Sequence, residues 1–444
     1  MTGRIIAVMM IFAATSVAWM FLGTKTTART NELDGKLRGK VAGLWGKAQV
    51  QEAPRITYHY KKEETRKETV LGKDNKVESV KTFVDVVDVC KALDLDSSNI
   101  NVALRLDHRK KGLLWYSLYG VDFSGRYTAT NQSYPDGWFR ITMPLPDAKA
   151  VYDDFRFMVN GREVAFTKGD ISTSTEQGLI TYTLPAKAGD SIVFETGYRS
   201  QGMDRWLYEF GAEGVSKINN FRLAMKTDFE DIDFPDSSLS ATTKAKKGNG
   251  WGLTWEYKNL ISGYSIGMLM PEKINPGPLA SSISYFAPVS LLFFFTFIFI
   301  VSTMKNIRMH PMNYFFLAAA FFAFHLLFSY TVDHINIYLA FAISSFVSVF
   351  LVVSYMRLVV DPGFAVTYAG ISQVIYLVFF SYAFFLEGFT GLTVTIGAIF
   401  TLFVLMQMTG KVDWEEKFKP NGTPVRKPAV NPAGVRTAPP SAES

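Results

Sequence analysis

The sequence predicts a membrane protein of the α+β class: an N-terminal transmembrane anchor, a large β-rich, β-sandwich-like exported domain, and a C-terminal bundle of five transmembrane helices. Three observations predict it. Of 444 residues, 48% are hydrophobic and 37 are Phe, while only 19% are charged; soluble domains carry about 25%. The apolar residues collect near the N-terminus and again after residue 280. Between them lies a polar stretch, residues 25–278, whose apolar residues alternate with polar ones.

A membrane span needs about 20 mainly apolar residues. The first candidate, residues 5–22, follows Arg4 and precedes Lys25. A cleaved signal peptide is the alternative, with an apolar core of about 7–15 residues and a small-residue cleavage site. This core is longer, contains Trp19, and offers only Ser16-Val17-Ala18 as a site. The reading is an uncleaved anchor over residues 1–24.

Residues 25–54 are read as an amphipathic connecting helix. Leu33, Leu37, Val41 and Leu44 recur at helical spacing among Lys36, Arg38, Lys40 and Lys47, a stripe suited to packing on the domain or on lipid. Residues 55–278 form the exported domain. Ile56, Tyr58 and Tyr60 alternate with polar residues, as do Val84, Val86 and Val89 less regularly. Further strands are expected at 113–119, 139–143, 155–159, 162–166, 180–184, 192–198, 221–225 and 251–255. Asn160-Gly161 between two of them is a hairpin signal. Strands at this spacing with turns between them argue for a large β-sandwich, or two. Residues 228–240, rich in Asp and Ser, read as a loop.

Residues 279–410 hold five apolar segments: 285–303, 314–332, 337–356, 364–386 and 389–408. The tail, 411–444, is Pro-rich. Outside residues 25–278 there are ten Lys and Arg: Arg4, Lys305, Arg308, Arg357 and six in the tail. Threading six spans with the N-terminus in the cytoplasm puts all ten on the cytoplasmic side. The two opposite connectors hold Asp333 and Glu387 and no Lys or Arg. The positive-inside rule therefore predicts cytoplasmic termini and a periplasmic domain.

The chemistry is sparse. Residues 25–278 carry 36 basic and 33 acidic residues, so no nucleic-acid partner is expected. One cysteine and five scattered histidines show no metal-ligand spacing, and no cofactor is expected. No Gly-x-Ser-x-Gly, His-Glu-x-x-His or phosphate-binding Gly-rich motif occurs. The acidic run Asp228, Glu230, Asp231, Asp233 and Asp236 has carboxylates suited to calcium but lacks the EF-hand order; a solvated loop is expected. His108 with Arg109, Lys110 and Lys111 is either an anion patch or, the preferred reading, a solvated turn. Cys90 is read as an idle or buried thiol with no activating histidine near it. His325 is the only ionisable residue deep in a span. With no acidic residue at similar depth, a neutral histidine bonded within the bundle is expected. Gln373, Gln407 and the Ser344, Ser345 and Ser348 set are expected to bond between helices.

Several strings, taken together and in order, resemble the CreD family of inner-membrane proteins, also described as cell envelope integrity proteins. They are Trp45-Gly46-x-x-Gln49 with Pro54-x-Ile56-x-x-x-Tyr60, then Arg109-Lys110-Lys111-Gly112-Leu113, then 231–238 with Phe234 and Ser237, then Gly250-Trp251-x-x-x-Trp255. Arg308-Met309-His310-Pro311-Met312-Asn313-Tyr314 and Val412-Asp413-Trp414 complete the set. The stretch from about 93 to 175 carries little that matches, and Ala53-Pro54 stands where the family has Gly-Pro. The resemblance implies a non-enzymatic, multi-pass protein of the bacterial inner membrane. It implies a link to envelope integrity, colicin tolerance and envelope stress under a sensor-kinase system. It brings no catalytic residues. The expected partners are membrane lipids and a protein or envelope polymer met by the periplasmic domain. The alternatives are a transporter or channel component built on the helix bundle, and an envelope glycan-active enzyme. Candidate structural or partner residues are Trp45, Trp251, Trp255, His310, Pro311, His325 and Trp414. Pro311 is expected to set a fixed joint between two spans, with His310 exposed and dispensable.

Overall fold

The computed structural model describes residues 2–71, 77–165, 173–174, 178–211, 216–386, 388–410 and 412. The chain forms two compact units, Met1–Thr27 with Gly277–Ser444, and Ala28–Pro276.

The first unit is helical. Helix α1 (Thr2–Trp45) contributes its N-terminal part; α2 (Pro276–Met304), α3 (Pro311–Thr331), α4 (Ile337–Val359), α5 (Pro362–Phe385) and α6 (Thr390–Thr409) follow. Among the described residues, six helices are long and apolar enough to cross a membrane. Their order matches the apolar segments of the sequence. α2 starts earlier than hydropathy suggested, because its polar residues are satisfied by helices: Ser284 Oγ donates to the Ala280 carbonyl (2.8 Å) and Ser281 Oγ to the Gly23 carbonyl (3.1 Å). α5 begins at Pro362, whose missing N–H costs nothing at a helix start. The Asp361 carboxylate accepts from Gly363 N (2.8 Å) and Phe364 N (3.3 Å). Two stretches of α5, Ala365–Gly370 and Val374–Phe379, are wound as π-helix.

The second unit is a β-sandwich with a helical lead-in. Its largest sheet has eight strands, ordered β14 (Thr243–Lys247), β15 (Gly250–Ser262), β13 (Ser216–Thr227), β4 (Ser97–Lys111), β5 (Leu114–Thr130), β11 (Ser191–Met203), β7 (Asp153–Val159), β8 (Arg162–Glu163). A five-stranded sheet runs β3 (Val77–Leu93), β2 (Arg55–Leu71), β6 (Gly137–Pro144), β10 (Leu179–Ala186), β9 (Thr173–Ser174). A three-stranded sheet joins β1 (Gln49–Glu52), β12 (Arg205–Glu209) and β16 (Ile266–Leu269). Period-two patterning explains the packing. Along β5, Val121, Phe123 and Tyr127 are buried while Asp122, Ser124 and Arg126 are exposed. One core joins Phe123, Phe194 and Trp255 of the large sheet with Tyr58, Phe139 and Ile141 of the second and Trp206 of the third.

The expected strands are present, with corrections. Val84 and Val86 do not face a core; they are exposed, as are Phe83 and Val87. β2 pairs with β6 only as far as Tyr60↔Gly137. Past that point the β2–β3 ladder has no third strand beside it. The strand expected at 162–166 is two residues long in β8, and Phe166 lies outside the described residues. β4, β12, β14 and β16 lacked a clear signal: β14 is Thr-Lys-Ala-Lys-Lys and fully exposed, and the others are short or mixed with charge. Residues 228–240 form a loop whose only strand pairings are single bridges, at Asp233 and at Ser238.

The connecting stretch 25–54 is not helical throughout. α1 ends at Trp45, and β1 takes up its last residues. Leu33, Leu37 and Val41 pack with Leu114, Tyr116, Leu118 and Met203. Leu44 is 68% exposed, and Trp45 takes its place because Leu37, Val41 and Trp45 keep the four-residue step of one helix face. Gly46, at φ +96°, then turns the chain. A Cβ there would lie 2.3 Å from the Gln201 carbonyl oxygen. By contrast Gly161, at φ +77°, closes the β7–β8 hairpin with open space around it. Gly161→Ala is therefore expected to cost only the conformational penalty, about 1 kcal/mol. Gly46→Ala should cost clearly more, and thermal unfolding of the two purified variants measures the difference. Equal losses would remove the steric argument at Gly46.

Candidate functional site

In the helical unit two buried polar side chains, Ser348 and Gln373, link neighbouring helices. Ser348 Oγ on α4 donates to the Ala320 carbonyl on α3 (2.7 Å), and Gln373 Nε2 on α5 donates to Ser348 Oγ (2.9 Å). These bonds tie three helices, which satisfies side chains that hydrocarbon cannot solvate. Gln373 Oε1 and Ser344 Oγ are buried without a hydrogen-bond partner. Ser345 bonds only within its own helix, to the Phe341 carbonyl (2.7 Å).

His325 is buried on α3, and its Nδ1 donates to the Phe321 carbonyl of the preceding turn (3.1 Å). The carbonyl can only accept, which assigns the proton to Nδ1. Nε2 has no partner. Trp19 of α1 stands edge-on to the imidazole at 5.7 Å between ring centres and also meets Phe321 and Phe322. Its indole Nε1 is likewise buried without a partner. Among the described residues the neighbours of His325 are aromatic rings and a backbone carbonyl. α1 approaches α2 closely at Gly23, where a Cβ would lie 2.8 Å from the Tyr285 ring. Thr24 Oγ1 meets Tyr285 OH at 3.1 Å, and Thr27 Oγ1 meets Ser281 Oγ at 2.5 Å.

His310 is not a passive surface residue. It is the N-cap of α3, at φ −72° and ψ 147°, and its Nδ1 accepts from Met312 N at 3.2 Å. Pro311 occupies the first helical position, where proline fits best.

In the second unit the tryptophans of the sequence motifs are structural pins. Trp45 lies under the Arg109 guanidinium, 3.7 Å from its ring centre. Four residues on, Gln49 Nε2 donates to Ser200 Oγ and to the Gln201 carbonyl, both at 2.9 Å. Trp251 Nε1 donates to the Glu230 carbonyl and Trp255 Nε1 to the Leu239 carbonyl, both at 2.8 Å. These two indoles hold the acidic loop onto β15. Trp414 lies outside the described residues. The His108 to Lys111 string is the end of β4, not a turn, since the turn comes at Gly112 (φ +61°). His108 Nε2 bonds the Pro271 carbonyl (2.8 Å) and Arg109 bonds Asp107 (2.7 Å). No group of three or more potential metal ligands occurs among the described residues.

Cys90 has a histidine beside it after all. The β2–β3 register sets it opposite His59, with Sγ 3.6 Å from Nε2. The two are far apart in sequence, so only strand pairing reveals them. Burial, with Arg140 adding to it, holds the imidazole below its ordinary pKa. It stacks on Trp138 and meets Thr57 Oγ1 at 3.0 Å. A neutral imidazole gives a thiolate little electrostatic support, so the pair is a polar contact rather than an activated thiol.

The outer face of the large sheet is polar and holds two clefts. A cleft of about 460 Å³ lies over β4, β5, β11 and β7. A second, of about 360 Å³, lies over β4, β5, β13 and β15. Asn101, Asp122 and Ser124 line both.

Comparison with known proteins decides the family. The pattern of the family described as inner membrane protein CreD matches residues 1–415. The chain belongs to the CreD family. It is thus an inner membrane protein with several membrane-spanning helices and a β-rich region between the first and the second. No curated protein matches it significantly. Among solved structures it is similar to a candidate nutrient-binding protein from Legionella pneumophila, at 11% identity and TM-score 0.31, over 46% of this chain and 72% of that one. It is also similar to an M1 zinc metallopeptidase from Deinococcus radiodurans, at 10% identity and TM-score 0.21, over 40% and 42%. TM-scores this low do not establish a shared fold.

Two outcomes test the helical unit of this CreD-family chain. Replacing His310 by Ala should cost about 1 kcal/mol through the lost cap, while His310→Asn, a better capping residue, should restore it. Thermal stability in detergent reads both. His325→Phe keeps the ring packing and removes the unpartnered nitrogen, so abundance and envelope function should both hold. Loss of function at normal abundance would make His325 a functional group.

Proposed function

We propose that this protein supports cell-envelope integrity without catalysing a reaction, by presenting its β-rich domain on the periplasmic side for contact with an envelope polymer or protein. Family membership supports the envelope role. The observation that carries the sidedness is the distribution of charge. All ten Lys and Arg outside residues 25–278 fall on one side when six spans are threaded. Lys305 and Arg308 follow α2 directly, at the level of anionic headgroups, each worth about 1 kcal/mol of attraction. Membrane lipids are partners on that account.

The sandwich supports a contact role. Its inner face is a closed aromatic core, and its outer face is polar and open. Trp251 and Trp255 hold the acidic loop from the core side of β15, and Trp45 holds the lead-in helix, so these tryptophans have structural work. Cys90 meets a neutral imidazole at His59, and in the bundle Ser348 and Gln373 are spent on joining helices.

The topology is tested with a reporter that is active only outside the cytoplasm. Fused after Asn249 it should be active, and fused after Arg308 it should be silent. The reverse pattern would place the domain in the cytoplasm and end the envelope-contact reading.

A further inference from the structure

The register of the large sheet builds a trough that crosses its strands. Thr243, Thr254, Ala224, Asn101, Ser124 and Gly197 are successive partners from β14 to β11. All are small, and the row ends on β7 at Arg156, opposite Gly197. Two residues along each strand, on either side, the rows carry longer charged side chains. One side holds Glu256, Arg222, Arg126 and Glu195; the other holds Lys226, Asp122 and Arg199. Seven strands at about 4.8 Å give a trough about 29 Å long, and flanking rows four residues apart give a width of about 13 Å. The two clefts described above are its two halves, joined at Asn101, Asp122 and Ser124.

The charge of this trough is unbalanced. Its acids are largely answered from within: Glu195 by Arg126 at 3.1 Å, and Asp154 by Arg199 at 2.5 Å. Arg156, Arg222, Lys226 and Lys247 also line it and form no ion pair among the described residues. Against these four, the acids of the trough and its flanks that form no ion pair among the described residues are Asp122 and Glu256. An extended anion is therefore the complementary occupant.

The floor narrows the choice. It offers hydroxyl and amide groups from Thr254, Asn101 and Ser124: Asn101 and Ser124 are one strand apart and Thr254 lies two strands from Asn101 across Ala224, spacings close to one and two sugar rings along a chain. It has no apolar pockets for alternate side chains. The strand backbones beneath are paired on both sides, so a peptide finds no sheet edge to extend. We propose that the trough binds a linear anionic glycan running across the strands. Asn101, Ser124 and Thr254 take its hydroxyl groups; Arg156, Arg222, Lys226 and Lys247 take its carboxylates. This rests on the reading that the domain meets an envelope polymer, and it names the polymer's chemistry and the surface that holds it.

The test uses the full chain in detergent micelles and a hexamer of galacturonic acid as probe. Neutral maltohexaose and a polyglutamate of matched charge are the controls. The acidic hexamer should bind, more weakly as salt rises, and the neutral one should not. Ser124→Trp fills the trough from an exposed position, and Lys226→Glu reverses one flanking charge. Each should weaken binding about tenfold, the scale of one lost charged hydrogen bond, at an unchanged unfolding temperature. Lys62→Glu, on the exposed part of β2, should leave binding as it was. Absence of binding, binding equal in all variants, or polyglutamate binding as tightly as the glycan would overturn the proposal. Sidedness is read separately by the reporter fusions. A periplasmic domain that binds no glycan sinks only this inference, whereas a cytoplasmic domain sinks the envelope reading even if binding is seen.

Discussion

The hydrocarbon of a bilayer offers no partner to a backbone N–H or C=O, and that requirement organises this molecule. Within the apolar segments the only local solution is the helix, which pairs every backbone group inside one segment. Where helices end, the freed groups are met by neighbouring side chains: His310 at the start of α3, Asn336 at the start of α4 and Asp361 at the start of α5. The same demand acts on side chains. Ser281 reaches a carbonyl of α1, and Ser348 and Gln373 link α3, α4 and α5. Small residues make these approaches feasible, as at Gly23 against Tyr285 and Gly397 against Phe380.

The residues between the first and second spans meet water and solve the same problem with sheets. Alternation then divides every strand between a core face and a solvent face. Helix α1 is capped by this arrangement: Gly46 turns the chain in a space no Cβ could share, and Gln49 and Gln51 anchor the first strand. Tyr198 OH donates to Gln51 Oε1 at 2.6 Å, and Gln51 Nε2 donates to the Pro144 carbonyl at 2.9 Å. The family's Trp-Gly-x-x-Gln string thus has a mechanical explanation, as do its Trp251 and Trp255. Burial pushes the Tyr116 phenol up to about 12, with its hydrogen bond to Asp34 acting in the same direction. It stays a neutral donor that ties β5 to the lead-in helix at any physiological pH.

With its inner face committed to aromatic packing, the large sheet is free to vary only on its outer face. There the length of the side chain, not its hydrophobicity, shapes the surface. A row of small residues between rows of long charged ones makes a channel, and the strand spacing sets its repeat. Unlike the tryptophan pins and the intramembrane serines, this surface has no evident structural duty.

Much of the architecture was legible in the sequence because it follows from local composition. Runs of apolar residues identify helices that can span a bilayer, and alternation at Ile56, Tyr58 and Tyr60 or around Phe139 identifies strands. What failed was whatever depends on partners far away in the chain. Val84 and Val86 alternate as a core strand would, yet lie beyond the end of β6 and stay exposed. Leu44 belongs to an apolar stripe, yet Trp45 is the residue that packs. His310 is an uncommon cap, so its role appeared only with the geometry of Met312 N. Cys90 met His59, and seven strands contributed one residue each to the trough, solely through register. Hydropathy and period are properties of neighbouring residues and need no fold to be read. Register brings together residues of distant segments, and it is settled by the packing of the core beneath them.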